Sequence, residues 1–165
     1  MIKFNKSQAA LEFLTTYGWA FLVIIIMIGT LAYFGILNPS KILPNRCSFG
    51  SEFQCIDYQI SATANTLRLR LKNDVGEPIS VTAITISSEG STAFACPGPG
   101  NTPVLPYIWP TGTPTDFLFN TCNSAGAGFI TGDKGKVLIT VRYNTVASGS
   151  NYAKDVKGEI LSTVI

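Results

Sequence analysis

The chain has 165 residues, with twelve basic and ten acidic side chains, no histidine and four cysteines. The length accommodates one ordinary domain and one further element, and the net charge of +2, without any block of lysine or arginine, predicts no nucleic-acid partner. Histidine is the commonest general base and metal ligand, and this chain has none. It also lacks a P-loop, a dinucleotide fingerprint and clustered carboxylates. We therefore predict that the protein is not an enzyme and holds no metal or cofactor.

An apolar run near the N-terminus predicts a long hydrophobic helix. Residues 13–37 carry no ionisable side chain except tyrosine, and about 20 such residues suffice for a helix that crosses a bilayer. The run is too long for a conventional secretory signal, and no small-residue cleavage pattern closes it, so we expect it to be retained. Asn38-Pro39 ends the run, because proline disfavours the helical conformation in the residue before it. We therefore predict a hydrophobic transmembrane helix over residues 8–38.

Basic residues and cysteines predict on which side of the membrane the rest of the chain lies. Lys3 and Lys6 precede the apolar run, and positive charge there keeps the N-terminus in the cytoplasm. The remainder would lie outside, where disulfides persist. The four cysteines are Cys47, Cys55, Cys96 and Cys122. They can pair in three ways, of which Cys47 with Cys55 would close a short loop and Cys96 with Cys122 a longer one, and a zinc site of four thiolates is the competing interpretation.

Beyond a connector predicted over residues 39–55, the sequence takes on the alternation typical of half-buried strands. TLRLRLK at residues 66–72 places three leucines on one face and three basic side chains on the other. The predicted strands are residues 56–62, 66–72, 79–87, 91–95, 116–120, 136–143 and 155–164. Short strands between Gly, Pro and Asn turns predict an antiparallel, immunoglobulin-like β-sandwich over residues 56–165, so that the whole chain belongs to the α+β class.

Two long loops interrupt the predicted strands. The first, residues 96–115, is rich in proline and carries Tyr107 and Trp109, which would either pack in a groove or recognise a partner at the surface. The second, residues 120–128, is small and flexible. We favour the interpretation of both loops as plain connections.

The stretch KSQAALEF at residues 6–13 places a carboxylate, Glu12, at the entrance of the apolar run. A carboxylate inside or at the edge of the hydrocarbon is costly, so such a residue is by default a functional candidate. The simpler alternative is that Glu12 reaches the lipid headgroups. With the basic residues before it and the retained helix after it, this N-terminus is similar to that of archaeal type IV pilin precursors, which carry a class III signal peptide.

The resemblance covers about the first 38 residues and implies a role for each part of them. Residues 1–7 would be a leader that a prepilin peptidase removes between Ser7 and Gln8, which places Glu12 at the fifth mature position. The partners implied are other copies of the chain in a helical homopolymer, the peptidase, and a membrane assembly platform with its ATPase. The subunit would be a single-pass membrane precursor and then part of an extracellular filament that serves adhesion.

Cleavage before Gln8 would create a new α-amine, which is mostly protonated near neutral pH. In an apolar bundle this cation and the Glu12 carboxylate of a neighbour are each costly alone and much less costly together, so pairing would set the register between subunits. Other members of the same family, an archaellin or a minor pilin, remain alternatives. From a different class, the chain could be a single-pass membrane anchor that displays an immunoglobulin-like module, which binds a glycan or protein through Tyr107 and Trp109.

Overall fold

The computed structural model describes residues 6–34, 43–88 and 94–165. The chain divides into two compact units, Met1–Leu43 and Pro44–Ile165. Among the described residues, the first unit contains one helix and the second contains all the strands.

The first unit contains α1, Lys6–Tyr33, a helix of 28 residues. Its segment Leu11–Tyr33 has a mean hydropathy of 2.0 and is long and apolar enough to cross a membrane. Three hydroxyls along the helix donate to carbonyl groups of the preceding turn, as Thr30 Oγ1 does to the Met27 carbonyl oxygen at 2.8 Å. These polar groups are thus satisfied within the helix, as a hydrocarbon environment requires. The last residues of the predicted helix, 35–38, lie outside the described residues.

The second unit, which we call the head domain, has eight strands and one short 3-10 helix, Ser150–Tyr152, among its described residues. The strands are β1 Arg46–Ser48, β2 Phe53–Ser61, β3 Thr66–Asn73, β4 Ile79–Ser88, β5 Tyr107–Trp109, β6 Pro114–Phe119, β7 Lys134–Thr145 and β8 Lys154–Thr163. They form a five-stranded sheet in the order β1-β8-β7-β4-β5 and a three-stranded sheet in the order β2-β3-β6. All pairings between these named strands are antiparallel.

The two sheets share one hydrophobic core. In β3 the side chains of Leu67, Leu69 and Leu71 are buried, while Arg68 and Arg70 between them are exposed. This is the arrangement that the alternation in TLRLRLK predicts, since successive side chains of a strand point to opposite faces. The α+β class, with a long apolar helix followed by antiparallel sheets, is confirmed.

Two features join the sheets at one side. Cys47 in β1 of the large sheet forms a disulfide with Cys55 in β2 of the small sheet. The end of β8 also reaches β2, because the Ile165 amide donates to the Ile60 carbonyl oxygen and the Ala62 amide donates to the Ile165 carbonyl oxygen. The core is therefore closed along this side by covalent and hydrogen bonds.

Some elements differ from those that the sequence predicts. The segment predicted as a connector contains β1 and the start of β2, and the proline-rich loop contains β5. The prediction of a strand at residues 91–95 is wrong for Phe94 and Ala95, which lie outside any strand. Residues 91–93 lie outside the described part of the chain. A three-residue strand between prolines offers too little alternation to be recognised in a sequence.

Candidate functional site

The predicted cleavage and docking residues lie within one helix. Ser7, Gln8 and Glu12 all belong to α1, and no break separates the predicted leader residues Lys6 and Ser7 from the rest of it. Gln8 and Glu12 are four residues apart, so their positions fall on the same face of the helix, about 6 Å apart along its axis.

Glu12 is exposed on α1, and its backbone carbonyl group and its side-chain carboxylate differ in their surroundings. Its backbone carbonyl oxygen accepts hydrogen bonds from Thr16 Oγ1 at 2.7 Å and Thr15 Oγ1 at 3.1 Å. Among the described residues, none forms an ion pair with its carboxylate. The carboxylate is thus the group at this position that would need a partner in an apolar environment.

The apolar side chains that follow Glu12 are exposed around the whole helix. Leu14 is 70% exposed, Trp19 67% and Phe21 65%, and none of the apolar window of this helix is buried inside the single chain. A helix that is apolar on all sides is stable only when lipid or other helices surround it. The helix therefore needs a lipid or protein environment that the single chain does not supply.

The structure decides between the two interpretations of Trp109, packing in a groove or recognition at the surface. Trp109 is fully buried, its ring stacks on Phe53 with a centroid distance of 5.3 Å, and its Nε1–H donates to the Thr113 carbonyl oxygen at 2.7 Å. Tyr107 in the same strand is half-buried beside Thr115. Of the two interpretations that the sequence left open, packing is the correct one for Trp109, because β5 turns the indole into the core.

The four candidate cysteines form two disulfides, Cys47–Cys55 and Cys96–Cys122. The first joins the two sheets, and the second ties the start of the proline-rich segment to the loop after β6. The interpretation of these thiols as a zinc site is wrong, since all four are consumed in disulfides. Within the described residues, no group of three acidic, cysteine or histidine side chains could hold a metal ion.

The outer face of the small sheet carries a polar groove that the sequence did not identify. We call it the outer groove; it is open to solvent and has a volume of about 630 Å³. Its outward-facing side chains are Asp57, Gln59, Arg68, Arg70, Asp116 and Leu118. The loop residue Thr102 closes one side, because its backbone forms two hydrogen bonds with Leu118.

A bidentate ion pair fixes the middle of the outer groove. Arg70 Nε donates to Asp116 Oδ1 at 2.6 Å, and Arg70 Nη2 donates to Asp116 Oδ2 at 2.7 Å. The hydrogen bond from Arg70 lowers the pKa of Asp116 below its usual value of 3.8, and the same bond raises the pKa of the guanidinium. In the sequence Asp116 stands as an isolated carboxylate, whereas in the fold it is a strand residue with a fixed partner.

No protein-family model matches this chain, and no curated protein matches it either. The geometry and chemistry of its own residues therefore carry any assignment of function.

Proposed function

We propose that this chain is a structural subunit, a pilin, of an extracellular type IV pilus-like filament used for adhesion. The observation that carries the proposal is α1, a helix that begins with KSQAALEF and continues as an apolar segment exposed on all sides. This stretch places a carboxylate at the fifth position after a candidate cleavage point, and no described residue forms an ion pair with it. Copies of such a helix can bury their apolar surfaces against one another outside the membrane.

The apolar surface of α1 has to be covered in every state of the chain. Keeping a Leu, Ile, Val or Phe side chain out of water contributes roughly 1.5–3 kcal/mol, and the helix exposes many such side chains in the single chain. Lipid covers this surface before assembly and neighbouring helices cover it in the filament, so the membrane is the reservoir from which subunits are drawn, and helix packing and the Glu12 pairing favour the filament over the lipid. When the same head-to-tail contact repeats and the last subunit does not meet the first, the subunits form a helical filament instead of a ring.

Glu12 supplies the register in this proposal. Cleavage between Ser7 and Gln8 would free the Gln8 amine, which then pairs with the Glu12 carboxylate of a neighbouring subunit. Removing one partner of a buried ion pair costs about 3–5 kcal/mol, because the other charge is left uncompensated. Cleavage thus acts as the switch for assembly, since the uncut leader places Lys3 and Lys6 where the neighbour must dock.

The head domain fits the outside of such a filament. Its two disulfides, Cys47–Cys55 and Cys96–Cys122, are of the kind that form and persist outside the cytoplasm. With the N-terminus in the cytoplasm, a prepilin peptidase acts at the inner face of the membrane, and an assembly platform with its ATPase extrudes the subunits.

The first test is the N-terminal residue of the chain recovered from the cell surface. The proposal expects Gln8 at the N-terminus of the material in sheared surface filaments. A surface chain that begins at Met1, or after α1, contradicts it.

The second test replaces Glu12 by glutamine, which keeps the shape of the side chain and removes its charge. Glu12→Gln is expected to insert and be cleaved normally but to reduce filament yield strongly, as seen by electron microscopy of sheared material. Glu77→Gln is the matched control, because Glu77 is an exposed head-domain carboxylate and its variant should assemble normally. Normal filaments from Glu12→Gln refute the register role.

The alternative from a different class is a single-pass anchor that displays a binding module. The compact, disulfide-bonded head domain is compatible with it. It predicts an uncut leader and a monomer in detergent, whereas the filament proposal predicts a cut leader. The burial of Trp109 removes one of the two aromatic residues on which recognition by the proline-rich loop depended.

A further inference from the structure

Arg68 is the cation in the outer groove that has no carboxylate opposite it. On the two neighbouring strands its register partners are Gln59 and Leu118, both uncharged, whereas Arg70 lies between Asp57 and Asp116. Among the residues that the structure describes, none pairs with the Arg68 guanidinium. Its five N–H donors, arranged in a planar fork that matches a carboxylate, face solvent.

The charge of the outer groove limits what can occupy it. Its two arginines and two aspartates cancel, so the groove as a whole is neutral. Nucleic acids and anionic membranes are held by surfaces with a clear excess of positive charge. Because Arg70 is paired with Asp116, the groove presents one cation, Arg68, and one anion, Asp57, whose Oδ1 accepts a hydrogen bond from the Tyr58 amide. This arrangement suits a ligand with a single negative charge near Arg68 and neutral hydrogen-bond donors near Asp57.

The polarity of the outer groove distinguishes a saccharide from a protein partner. Protein interfaces usually have an apolar centre enriched in aromatic residues. The outward-facing side chains here are ionic or amide groups, with Leu118 as the apolar exception. Saccharide hydroxyls both donate and accept hydrogen bonds, and they match the Gln59 amide and the remaining acceptor sites of Asp57 and Asp116.

Part of the groove is oriented before any ligand binds. The bidentate pair with Asp116 orients the Arg70 side chain, and the backbone bonds of Thr102 to Leu118 hold the wall. A site whose side chains are already ordered loses less conformational entropy when a ligand binds.

We propose that the outer groove binds a saccharide that carries a carboxylate, with Arg68 pairing with that carboxylate and the aspartates accepting hydrogen bonds from its hydroxyls. This binding site belongs to the head domain and does not depend on filament assembly. In an adhesive filament it would be repeated on every subunit, so that weak single contacts would add up to strong attachment.

The experiment measures binding of oligogalacturonate, an acidic probe, to the full chain in non-ionic detergent by calorimetry, with a neutral galacto-oligosaccharide of equal length as comparison. Wild type is expected to prefer the acidic probe, and added salt is expected to weaken that binding. Arg68→Gln is expected to weaken it about tenfold or more, given the strength of hydrogen bonds to charged groups. Arg68→Lys is expected to lie between, because it keeps the charge and loses the fork.

Arg142→Gln is the matched control, since Arg142 is an exposed arginine on β7 of the large sheet. It should bind the acidic probe as wild type does. Equal affinity of wild type for the acidic and neutral probes overturns the proposal, and so does unchanged binding by Arg68→Gln. Competition by polyglutamate as strong as by oligogalacturonate also overturns it, in favour of an acidic protein partner. Because the measurement uses subunits in detergent, its failure leaves the filament proposal intact, and failed assembly leaves this proposal intact.

Discussion

Gly158 in β8 faces the core at a position where the structure leaves no room for a methyl group. A Cβ at this position would lie closer than 3.0 Å to three carbon atoms of the Phe49 ring, and the glycine is paired in register with Ile139 in β7. Contacts of that length are not tolerated, so Gly158→Ala must displace the ring. The backbone of Gly158 is not in the left-handed region, so the effect of the substitution is steric.

The cost follows from how tightly Phe49 is held. Phe49 is 1% exposed and lies inside the loop that the Cys47–Cys55 disulfide closes, so its ring cannot move outward without losing buried area. Overpacking of this kind costs about 1–3 kcal/mol, whereas alanine in place of glycine in a strand otherwise gains roughly 0.5–1 kcal/mol. The difference is about 0–2.5 kcal/mol. Because all three contacts with the Phe49 ring are far below 3.0 Å, we expect a net loss in the upper part of this range, about 1–2 kcal/mol, which lowers the Tm of a domain of this size by about 5 °C.

Thermal unfolding of the full chain in detergent, followed by near-UV circular dichroism, measures this effect. The control is a double-mutant cycle with Phe49→Leu, whose smaller side chain makes room for the new methyl group. Gly158→Ala should destabilise the chain that keeps Phe49 by more than it destabilises the Phe49→Leu variant. An unchanged or raised Tm for Gly158→Ala with Phe49 present refutes the argument.

Three further predictions concern the head domain. Replacing Cys96 and Cys122 by serine should lower the free energy of unfolding by about 3.5 kcal/mol, because the crosslink spans 26 residues, as urea titration would measure; a loss under about 1 kcal/mol contradicts the loop-closure argument. Trp109→Phe should lower the free energy of unfolding by about 1–3 kcal/mol, because the hydrogen bond to Thr113 is lost and a cavity forms. An unchanged urea midpoint would contradict this prediction. Since Arg70 lowers the pKa of Asp116 in the folded state, the pair stabilises fully above the ordinary value of 3.8 and loses this effect as pH falls through the lower folded pKa. The effect is small because both side chains are exposed, and Asp116→Asn should remove it from the pH profile of Tm.

The sequence predicts best those elements in which one physical signal is long and unopposed. The apolar run determines a helix because backbone polar groups in hydrocarbon can be satisfied only internally. The alternation at residues 66–72 determines a strand with one buried face, as β3 shows. Both signals extend over enough residues to outweigh competing local preferences.

The sequence predicts least where contacts between distant segments decide the structure. The pairing of four cysteines depends on which strands become neighbours, and spacing alone allows three arrangements. Trp109 is buried because β5 adds to the edge of β4, a pairing of three residues that has no local pattern. The outer groove likewise needs Asp57 and Asp116 to flank Arg70, and residues from three separate strands reveal this only when the register is known.

The Cys47–Cys55 disulfide has a mechanical consequence. A pull on the chain from the side of α1 enters the head domain through β1 and reaches Cys47, where the covalent link passes tension directly to Cys55. The eight-residue interval between them cannot extend. A fully stretched chain with this disulfide is therefore shorter by roughly 22 Å than one in which both cysteines are serine, because about 28 Å of extended chain is replaced by the 6.1 Å between the two Cα atoms. Force spectroscopy that compares the oxidised chain with a Cys47→Ser/Cys55→Ser variant, in which Cys96–Cys122 stays intact, should resolve that difference. The segment shielded from tension is the one that holds Phe49 in the core.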